Sequence, residues 1–307
     1  MKTLGWRFSR AVLTACALIV VSALLGLGYE TLATSRYRSR GMPGKLVDVG
    51  GYREYIHCLG TGQPTIVLDS GLGDASDVWR GIQGQVAEYS RTCVFDRPGL
   101  GWSDDGPDPR SSGMAATELH TLLDRSGEKG PYLLVAHSMA GYETRIFASK
   151  YVGVVSGVLL LDVAHPDQNE RESAYALTDR DDFMTKQAWW GRLGPFGVTR
   201  LLGHCQWSPQ DCTRSYWTTL KEFDAFNKIS PGQVREAGNL GSIPLIVISH
   251  DPNLEMARDP SEHTRKDEVV DAQLQRELAQ LSTKWLPDSR GREWPLHSRR
   301  SQRSGSK

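Results

Sequence analysis

The longest apolar run of the chain lies near its start. Residues 11–28 contain no charged side chain, and Lys2, Arg7 and Arg10 precede them. About 18 apolar residues is near the lower limit for a helix that crosses a bilayer. We therefore expect an uncleaved membrane anchor at residues 11–28, followed by a polar linker at residues 29–44.

Two other interpretations of this run stay open. A cleaved signal peptide would need a small-x-small site, and residues 32–35 form a poor one. Residues 13–16 resemble a lipoprotein cleavage box, but few apolar residues separate Arg10 from Cys16. Positive residues flank the run on both sides, so charge alone does not set its orientation.

Beyond the linker, apolar segments of strand length alternate with helical patterns. The residues around Gly50-Gly51 alternate in polarity and predict a β-hairpin. The later apolar segments are continuous, which is typical of strands buried on both faces of a sheet. This order favours an α/β domain. The predicted strands lie at residues 45–60, 64–71, 91–96, 132–135, 153–162 and 242–251.

One connection is much longer than the others. About 80 residues separate the segment at 153–162 from the strand at 242–251, and a connection of that length forms a small domain of its own. Residues 163–241 contain many aromatic side chains, among them Trp189, Trp190 and Tyr216. We expect a helical cap there, with an apolar lining.

Composition excludes some classes of function. The 307 residues carry 36 basic and 36 acidic side chains, so nothing indicates a nucleic-acid or other polyanionic partner. The sequence has no H-E-x-x-H motif and no paired Cys-x-x-Cys. We therefore expect no metal and no cofactor.

The chemistry concentrates where the strand at 132–135 runs into a helix. Residues 136–141 read Ala-His-Ser-Met-Ala-Gly. A strand that turns into a helix so sharply strains the turning residue and exposes its side chain. The pattern places the Ser138 hydroxyl outside the sheet. The Met139 N–H then lies at a helix N-terminus, where it can stabilise an oxyanion.

This stretch resembles the nucleophile elbow, G-x-S-x-G, of the α/β-hydrolase fold family, with alanine at both glycine positions. Residues 96–103 read D-R-P-G-L-G-W-S and resemble a second family segment, which shapes the rim of the site. The resemblance covers residues 45–284. It implies a mostly parallel sheet with helices on both faces and a helical cap after the sixth strand.

The resemblance also implies the other site residues. Family members carry an oxyanion loop after the third strand, and Leu72 is the expected second N–H donor. The acid usually follows the strand after the cap, where Asp251 stands. Asp162, at the end of the preceding strand, is the alternative acid. His297 is the one histidine near the family position for the base.

A serine at the elbow favours acyl transfer, because epoxide hydrolases and haloalkane dehalogenases of this fold use an aspartate nucleophile. The sequence therefore predicts a membrane-anchored serine hydrolase, similar to carboxylesterases and lipases, that cleaves esters of apolar substrates. The alternative is a catalytically impaired hydrolase-like protein that binds a ligand or partner in the capped pocket.

Four cysteines outside the apolar run form two plausible pairs. Cys205 and Cys212 lie seven positions apart in the cap, and Cys58 and Cys93 lie on the second and fourth strands. Those strands are neighbours in the strand order that the resemblance implies. Paired cysteines indicate an oxidising compartment, so we expect an extracytoplasmic domain.

Residues 285–307 are atypical of the family and form a polar tail. We expect this tail to be translated out of frame relative to the ancestral gene. A one-base shift turns the codon of Trp294 into a glycine codon and permits histidine at Pro295, which would restore a Gly-His motif. His297 would then be a coincidental histidine. The codons of the gene test this expectation directly.

Overall fold

A computed structural model describes residues 2–205 and 210–284. Seven strands form one sheet in the order β1-β2-β4-β3-β5-β6-β7. The first two strands are antiparallel to their neighbours, and β3 to β7 are parallel. The strands are β1 (Lys45–Asp48), β2 (Arg53–Leu59), β3 (Thr65–Asp69), β4 (Thr92–Asp96), β5 (Tyr132–His137), β6 (Val155–Leu161) and β7 (Leu245–Ile248).

The central strands are buried on both faces, as their continuous apolar runs predict. In β5, Leu134 packs into the larger core cluster, and the next residue, Val135, packs into a second cluster around Trp79. Successive side chains of a strand point to opposite faces. Helices therefore cover both faces, among them α2 (Arg80–Val86), α3 (Ser112–Ser126), α4 (Ala140–Lys150) and α11 (Glu262–Ala279). Helix α10 (Pro252–Arg258) packs on α11.

Helices fill the long connection between β6 and β7. The first ones form the cap, which we call the lid, and the last leads back to the core, where Val234 is fully buried. The lid follows the sixth strand, as predicted. Its described helices are α5 (Gln168–Arg171), α6 (Ala174–Leu193), α7 (Val198–Leu201) and α8 (Cys212–Lys228), and α9 (Ser230–Ala237) returns to the core.

The N-terminal helix is longer than the sequence predicts. Helix α1 spans Lys2–Arg38, so residues 29–38 of the predicted linker are helical. They stay helical because this part of α1 packs on the lid, where Glu30 forms a buried ion pair with Arg200 at 2.7 Å. Only residues 39–44 separate α1 from the sheet.

Both predicted disulfides are present. Cys58 and Cys93 lie directly opposite each other on the antiparallel strands β2 and β4, and their sulfurs are bonded. Cys205 and Cys212 are bonded within the lid. In the described part of the chain, Cys16 is the one free cysteine, and it is exposed on α1.

Candidate active site

Ser138 adopts the strained backbone that the sequence predicts for the turn between β5 and α4. Its φ is 55°, in a region that non-glycine residues rarely occupy. The turn is held from the neighbouring strand, because the Ser138 N–H donates to the Leu161 carbonyl at 3.2 Å and the Ala164 N–H donates to the Ser138 carbonyl at 3.1 Å. These bonds fix Ser138, the predicted nucleophile, against the end of β6.

Alanine fits both positions that are glycine in the family motif. Ala136 and Ala140 are fully buried, so each methyl group is accommodated in the core. The close approach occurs one residue later, at Gly141. A Cβ at this position would lie 2.6 Å from the Cβ of Val163. The constraint on side-chain size has therefore moved from the motif position to Gly141.

The two predicted oxyanion donors lie beside Ser138. Met139 caps the N-terminus of α4, where backbone N–H groups lack intrahelical partners. Leu72 follows Gly71, whose missing Cβ would lie 3.3 Å from the Cβ of Ser138. Within residues 2–205 and 210–284, neither the Met139 N–H nor the Leu72 N–H donates to an acceptor. Both amides are thus available to a substrate oxygen.

Arg97 holds the loop that carries Leu72. Its guanidinium donates to the carbonyls of Ser70 and Gly71 at 2.6 and 2.7 Å. It also pairs with Glu222 of lid helix α8 at 2.7 Å, and Glu222 accepts from the Gly73 N–H. Arg97 is 3 % exposed. This buried arginine therefore joins the oxyanion loop to the lid, although its motif indicated only a role at the rim.

Three carboxyl groups surround this single arginine. Asp69, Glu143 and Glu222 are all within 4 Å of the guanidinium and almost fully buried. Desolvation raises the pKa of Glu143 well above its ordinary value, and Asp69 is close enough to accept a hydrogen bond from it. This rise in the pKa of Glu143 favours its protonated form, which reduces the uncompensated negative charge around Arg97.

A cavity of about 240 Å³ opens next to Ser138. Asp162 and His250 line it, and the His250 Nδ1 lies 2.8 Å from Asp162 Oδ1. The other ring nitrogen, Nε2, lies 2.9 Å from Glu268 Oε2 on α11. The structure therefore brings a serine, a histidine and a carboxylate to one cavity, at the ends of three neighbouring strands.

His250 is protonated in this arrangement. Burial acts to lower its pKa, but the hydrogen bonds to Asp162 and Glu268 outweigh burial and raise the pKa to about 9. Both ring nitrogens donate to carboxylates, so neither is free to accept a proton from Ser138. In the described part of the chain, no histidine is hydrogen-bonded to the Ser138 hydroxyl.

The predicted acid Asp251 lies at a different place from Asp162. It caps the N-terminus of α10, where its Oδ1 accepts from the Asn253 N–H at 2.9 Å, and it does not line the cavity beside Ser138. A carboxylate at the end of a strand is often such a cap. The alternative acid, Asp162, does line the cavity. The predicted base His297, like the predicted out-of-frame tail at 285–307, lies outside the described residues.

Asp162, His250 and Asp271 have ligand atoms within 4.8 Å of one another, a spacing that could hold an ion. The His250 imidazolium already supplies a positive charge between carboxylates at this point. The positive charge of His250 therefore accounts for the close approach of these carboxylates without a metal ion.

A second cavity, of about 550 Å³, lies between the lid and the oxyanion loop. Leu72 and Asp74 form its floor, and the lid supplies Phe183, Trp190 and Tyr216. The Trp190 ring stacks on the His204 ring at 4.2 Å. The predicted aromatic cap thus lines a cavity beside Leu72, one of the two predicted oxyanion donors. The Cys205–Cys212 disulfide forms part of the same wall.

Comparison with known proteins gives one family match. Residues 64–195 match the sequence model of the family described as the α/β hydrolase fold. YbdG of Bacillus subtilis, an uncharacterized protein, is 27% identical over 222 residues, which cover 71% of this chain and 66% of YbdG. An uncharacterized protein of Schizosaccharomyces pombe is 32% identical over 138 residues, which cover 43% of this chain and 24% of that protein.

An uncharacterized vacuolar membrane protein of Saccharomyces cerevisiae is 33% identical over 109 residues, which cover 34% of this chain and 17% of that protein. This chain therefore spans between 17% and 66% of the length of these three relatives.

Solved structures show the same fold. A putative lipase of Acinetobacter baumannii superposes with a TM-score of 0.60 at 17% identity, covering 84% of this chain and 86% of the lipase. The Cif epoxide hydrolase of Acinetobacter nosocomialis has a TM-score of 0.59 at 13% identity, covering 84% of this chain and 88% of the epoxide hydrolase. A thermophilic esterase of Thermogutta terrifontis has a TM-score of 0.57 at 15% identity, covering 80% of this chain and 88% of the esterase.

Proposed function

Since this protein is a member of the α/β hydrolase fold family, we propose that it is a serine hydrolase that cleaves carboxylic esters of apolar substrates. The observation that carries the proposal is the strained Ser138 at the elbow, next to two backbone amides without acceptors. An aspartate nucleophile would support epoxide or haloalkane chemistry, whereas serine supports acyl transfer.

In the proposed reaction, Ser138 Oγ attacks the ester carbonyl while a histidine removes its proton. The Met139 and Leu72 amides stabilise the negative charge that develops on the carbonyl oxygen. The histidine then protonates the departing alcohol, leaving an acyl group on Ser138. Water, activated by the same histidine, releases the acid and restores the serine.

Asp162 is the proposed acid because it lines the cavity beside Ser138, whereas Asp251 caps a helix. The base is either His250, which shares that cavity, or His297 of the tail. His250 can serve only after it loses a proton and its contact with Glu268. Separate His250→Ala and His297→Ala variants assign the base, since turnover is abolished only when the histidine that acts as the base is removed.

The primary test uses a fluorophosphonate probe on the full-length protein. We expect the probe to label the wild type and not Ser138→Ala, with both proteins equally folded by circular dichroism. An ester series of graded chain length then gives the substrate preference. Retained turnover in Ser138→Ala at the wild-type rate would exclude Ser138 as the nucleophile.

A second candidate function is supported by one observation. Both His250 nitrogens are engaged by carboxylates, so the described residues supply no free base to Ser138. A protein in this state would bind an apolar ligand or partner in the lid cavity without hydrolysing it. A folded wild type that the probe does not label, but that binds an apolar ester, would favour this function.

We also propose that α1 anchors the protein in a membrane with the hydrolase domain on the extracytoplasmic side. From Arg10 to Arg38, α1 is long and apolar enough to cross a bilayer. The two disulfides support an oxidising compartment. Protease protection of the domain in sealed membranes, and its loss on detergent treatment, tests this orientation.

A further inference from the structure

One face of α1 lies against the lid and, near the end of the helix, against Trp102. The positions of this helix that are half or fully buried recur at intervals of three or four, as expected for one helix face. At the rise of an α-helix they span about 21 Å. Contact therefore begins inside the apolar run and continues past its end. These positions are Ala23, Gly26, Glu30, Ala33, Thr34 and Tyr37.

The closest approach occurs at two glycines. A Cβ at Gly26 would lie 2.1 Å from the carbonyl oxygen of Phe196, and a Cβ at Gly197 would lie 2.7 Å from the Tyr29 ring. Backbone therefore meets backbone without room for a side chain. Four residues after Gly26 on α1, the buried Glu30–Arg200 ion pair fixes the same part of the lid to this helix.

This contact sets the height of the lid relative to the apolar run. Gly26 stands two residues before the end of the run at Gly28, which is about 3 Å along the helix axis. The lid segment at Phe196 therefore lies level with the last turn of the apolar run. In a bilayer crossed by α1, that level is the boundary between acyl chains and head groups.

The lid exposes apolar side chains beside its contact with α1, with Phe196 at Gly26 and Arg200, the neighbour of Leu201, at Glu30. We define the lid tip as Phe196, Leu201 and Leu202, which are 40%, 76% and 58% exposed. Nearby on α6, Trp189 is also exposed, and the Arg192 guanidinium lies 5.3 Å from its ring centre. Tryptophan and arginine are among the residues that anchor proteins at a membrane surface. Exposed apolar residues grouped beside a spanning helix mark an interaction surface.

From these contacts we infer that the lid tip docks on the bilayer that α1 crosses, with Phe196, Leu201 and Leu202 in the interfacial region. The occupant of this surface is lipid, because the tip adjoins the end of the apolar run of α1, where Phe196 meets Gly26 and Arg200 meets Glu30. A polar surface would be expected there if the lid faced only water. The depth is comparable to that of interfacial helices, about 5–10 Å.

The position of the tip bears on the substrate. His204, two residues after Leu202, lines the 550 Å³ cavity. Leu72 lines the same cavity from the oxyanion loop. The turn is tight, since the His204 N–H donates to the Thr199 carbonyl at 2.8 Å. An ester leaving the bilayer at the tip would meet this cavity first. This consequence rests on the proposed ester hydrolysis, and it assigns membrane-resident lipid esters as the substrate class.

The surface is tested by fluorescence quenching in the full-length protein. A Leu202→Cys variant in a Cys16→Ser background is labelled with an environment-sensitive fluorophore and reconstituted into phosphatidylcholine vesicles that contain doxyl-labelled lipids. We expect strong quenching at position 202. Val152→Cys is the control, because Val152 is exposed at the amino ends of the strands, opposite the lid. We expect no quenching there.

Two glycine variants of α1 provide a matched pair. Gly26→Leu places its side chain against Phe196, whereas a Cβ at Gly28 has no neighbour within 4 Å. Gly26→Leu should therefore reduce quenching at position 202, and Gly28→Leu should preserve it. Equal quenching in both variants would overturn the role of the α1 contact.

A probe at Leu18 reports whether α1 itself is in the bilayer. Quenching at Leu18 without quenching at position 202 would overturn the docking of the lid tip, and quenching at neither position would overturn it together with the anchor. These readouts need no enzymatic activity, so they are independent of the proposed hydrolysis.

The substrate class has its own test. A Leu201→Ser/Leu202→Ser double variant should hydrolyse a lipid ester in vesicles about tenfold more slowly, since two exposed leucines no longer hold the lid at the surface. Its rate on a short soluble ester should not change. An equal loss on both esters would contradict the assignment. Absence of any ester hydrolysis in the wild type would count against the proposed function, not against the surface.

Discussion

The Nε of Arg97 lies 2.7 Å from Oε1 of Glu222, and both side chains are almost fully buried. This pair links the loop after β3 to lid helix α8, which is 125 positions away in the sequence. Because the same guanidinium also binds the Ser70 and Gly71 carbonyls, the lid and the oxyanion loop share one support.

We predict that Arg97→Met destabilises the domain strongly. Removing one partner of a buried ion pair typically costs about 3–5 kcal/mol, because the remaining charges are left uncompensated. Arg53→Met is the control, since Arg53 pairs with Asp104 at 2.8 Å but is exposed, and such pairs contribute about 0–1 kcal/mol. Urea unfolding measures both. Equal effects would show that Arg97 is no more important than a surface arginine.

The conservative variant Glu222→Gln separates positioning from stability. It keeps an oxygen for the Gly73 N–H but removes the charge that faces Arg97. We expect kcat to fall more than KM rises, since the oxyanion donor is displaced while the lid cavity is retained. An unchanged kcat in a folded variant would assign Glu222 to stability alone.

His250 should make the stability of the domain depend on pH. Its folded pKa of about 9 exceeds its ordinary value of 6.5. Its contribution to the free energy of unfolding is therefore fully present below pH 6.5 and is lost as the pH rises through 9. Unfolding of the wild type and of His250→Asn across this window measures the effect, and the variant should show a weaker dependence.

Glu268→Gln should lower the pKa of His250 toward its ordinary value, because it removes one of the two carboxylates that hold the proton. NMR titration of the ring follows this shift. If His250 is the base, the pH at which hydrolysis reaches its plateau should fall in parallel. If the profile does not move while the ring pKa does, the base is a different histidine.

We predict that the Cys58–Cys93 disulfide stabilises the domain. The two cysteines lie on paired strands and are 35 positions apart in the sequence. A disulfide that closes a loop of this size raises the free energy of unfolding by about 3–4 kcal/mol. Cys58→Ala/Cys93→Ala should lose stability on this order, whereas Cys16→Ser should not. Alkylation of the unreduced protein should modify one cysteine. Five alkylated cysteines would show that neither disulfide forms.

Gly141→Ala should destabilise the elbow by about 1–3 kcal/mol, because its methyl group would lie 2.6 Å from the Cβ of Val163. Val163→Ala leaves that Cβ in place but removes the two methyl groups, at 2.9 and 3.0 Å, that would also crowd it. The double variant should therefore be more stable than the sum of the single effects. Additive effects would show that the crowding lies elsewhere.

The sequence by itself determined the order and position of the strands. Continuous apolar runs and the Gly50-Gly51 turn define β1 to β7, because local polarity decides which segments are buried on both faces. The elbow at Ser138 was predicted for a similar reason. Its strain arises within six consecutive residues, and the structure shows φ of 55° there. The Cys58–Cys93 disulfide followed from the strand order that the family resemblance implies, and the Cys205–Cys212 disulfide from the short separation of the two cysteines in the cap.

Only the tertiary structure decided which distant groups meet. Asp162 and His250 lie 88 positions apart, and α11 supplies Glu268 to the same ring, so no local pattern separates Asp162 from Asp251. The role of Arg97 depends equally on Glu222 of the lid. Helix α1 extends into the predicted linker because Glu30 forms an ion pair with Arg200, which is 170 positions away in the sequence. Such contacts depend on how the lid folds back onto the core, and side-chain charge and burial at those points are properties of the packed molecule.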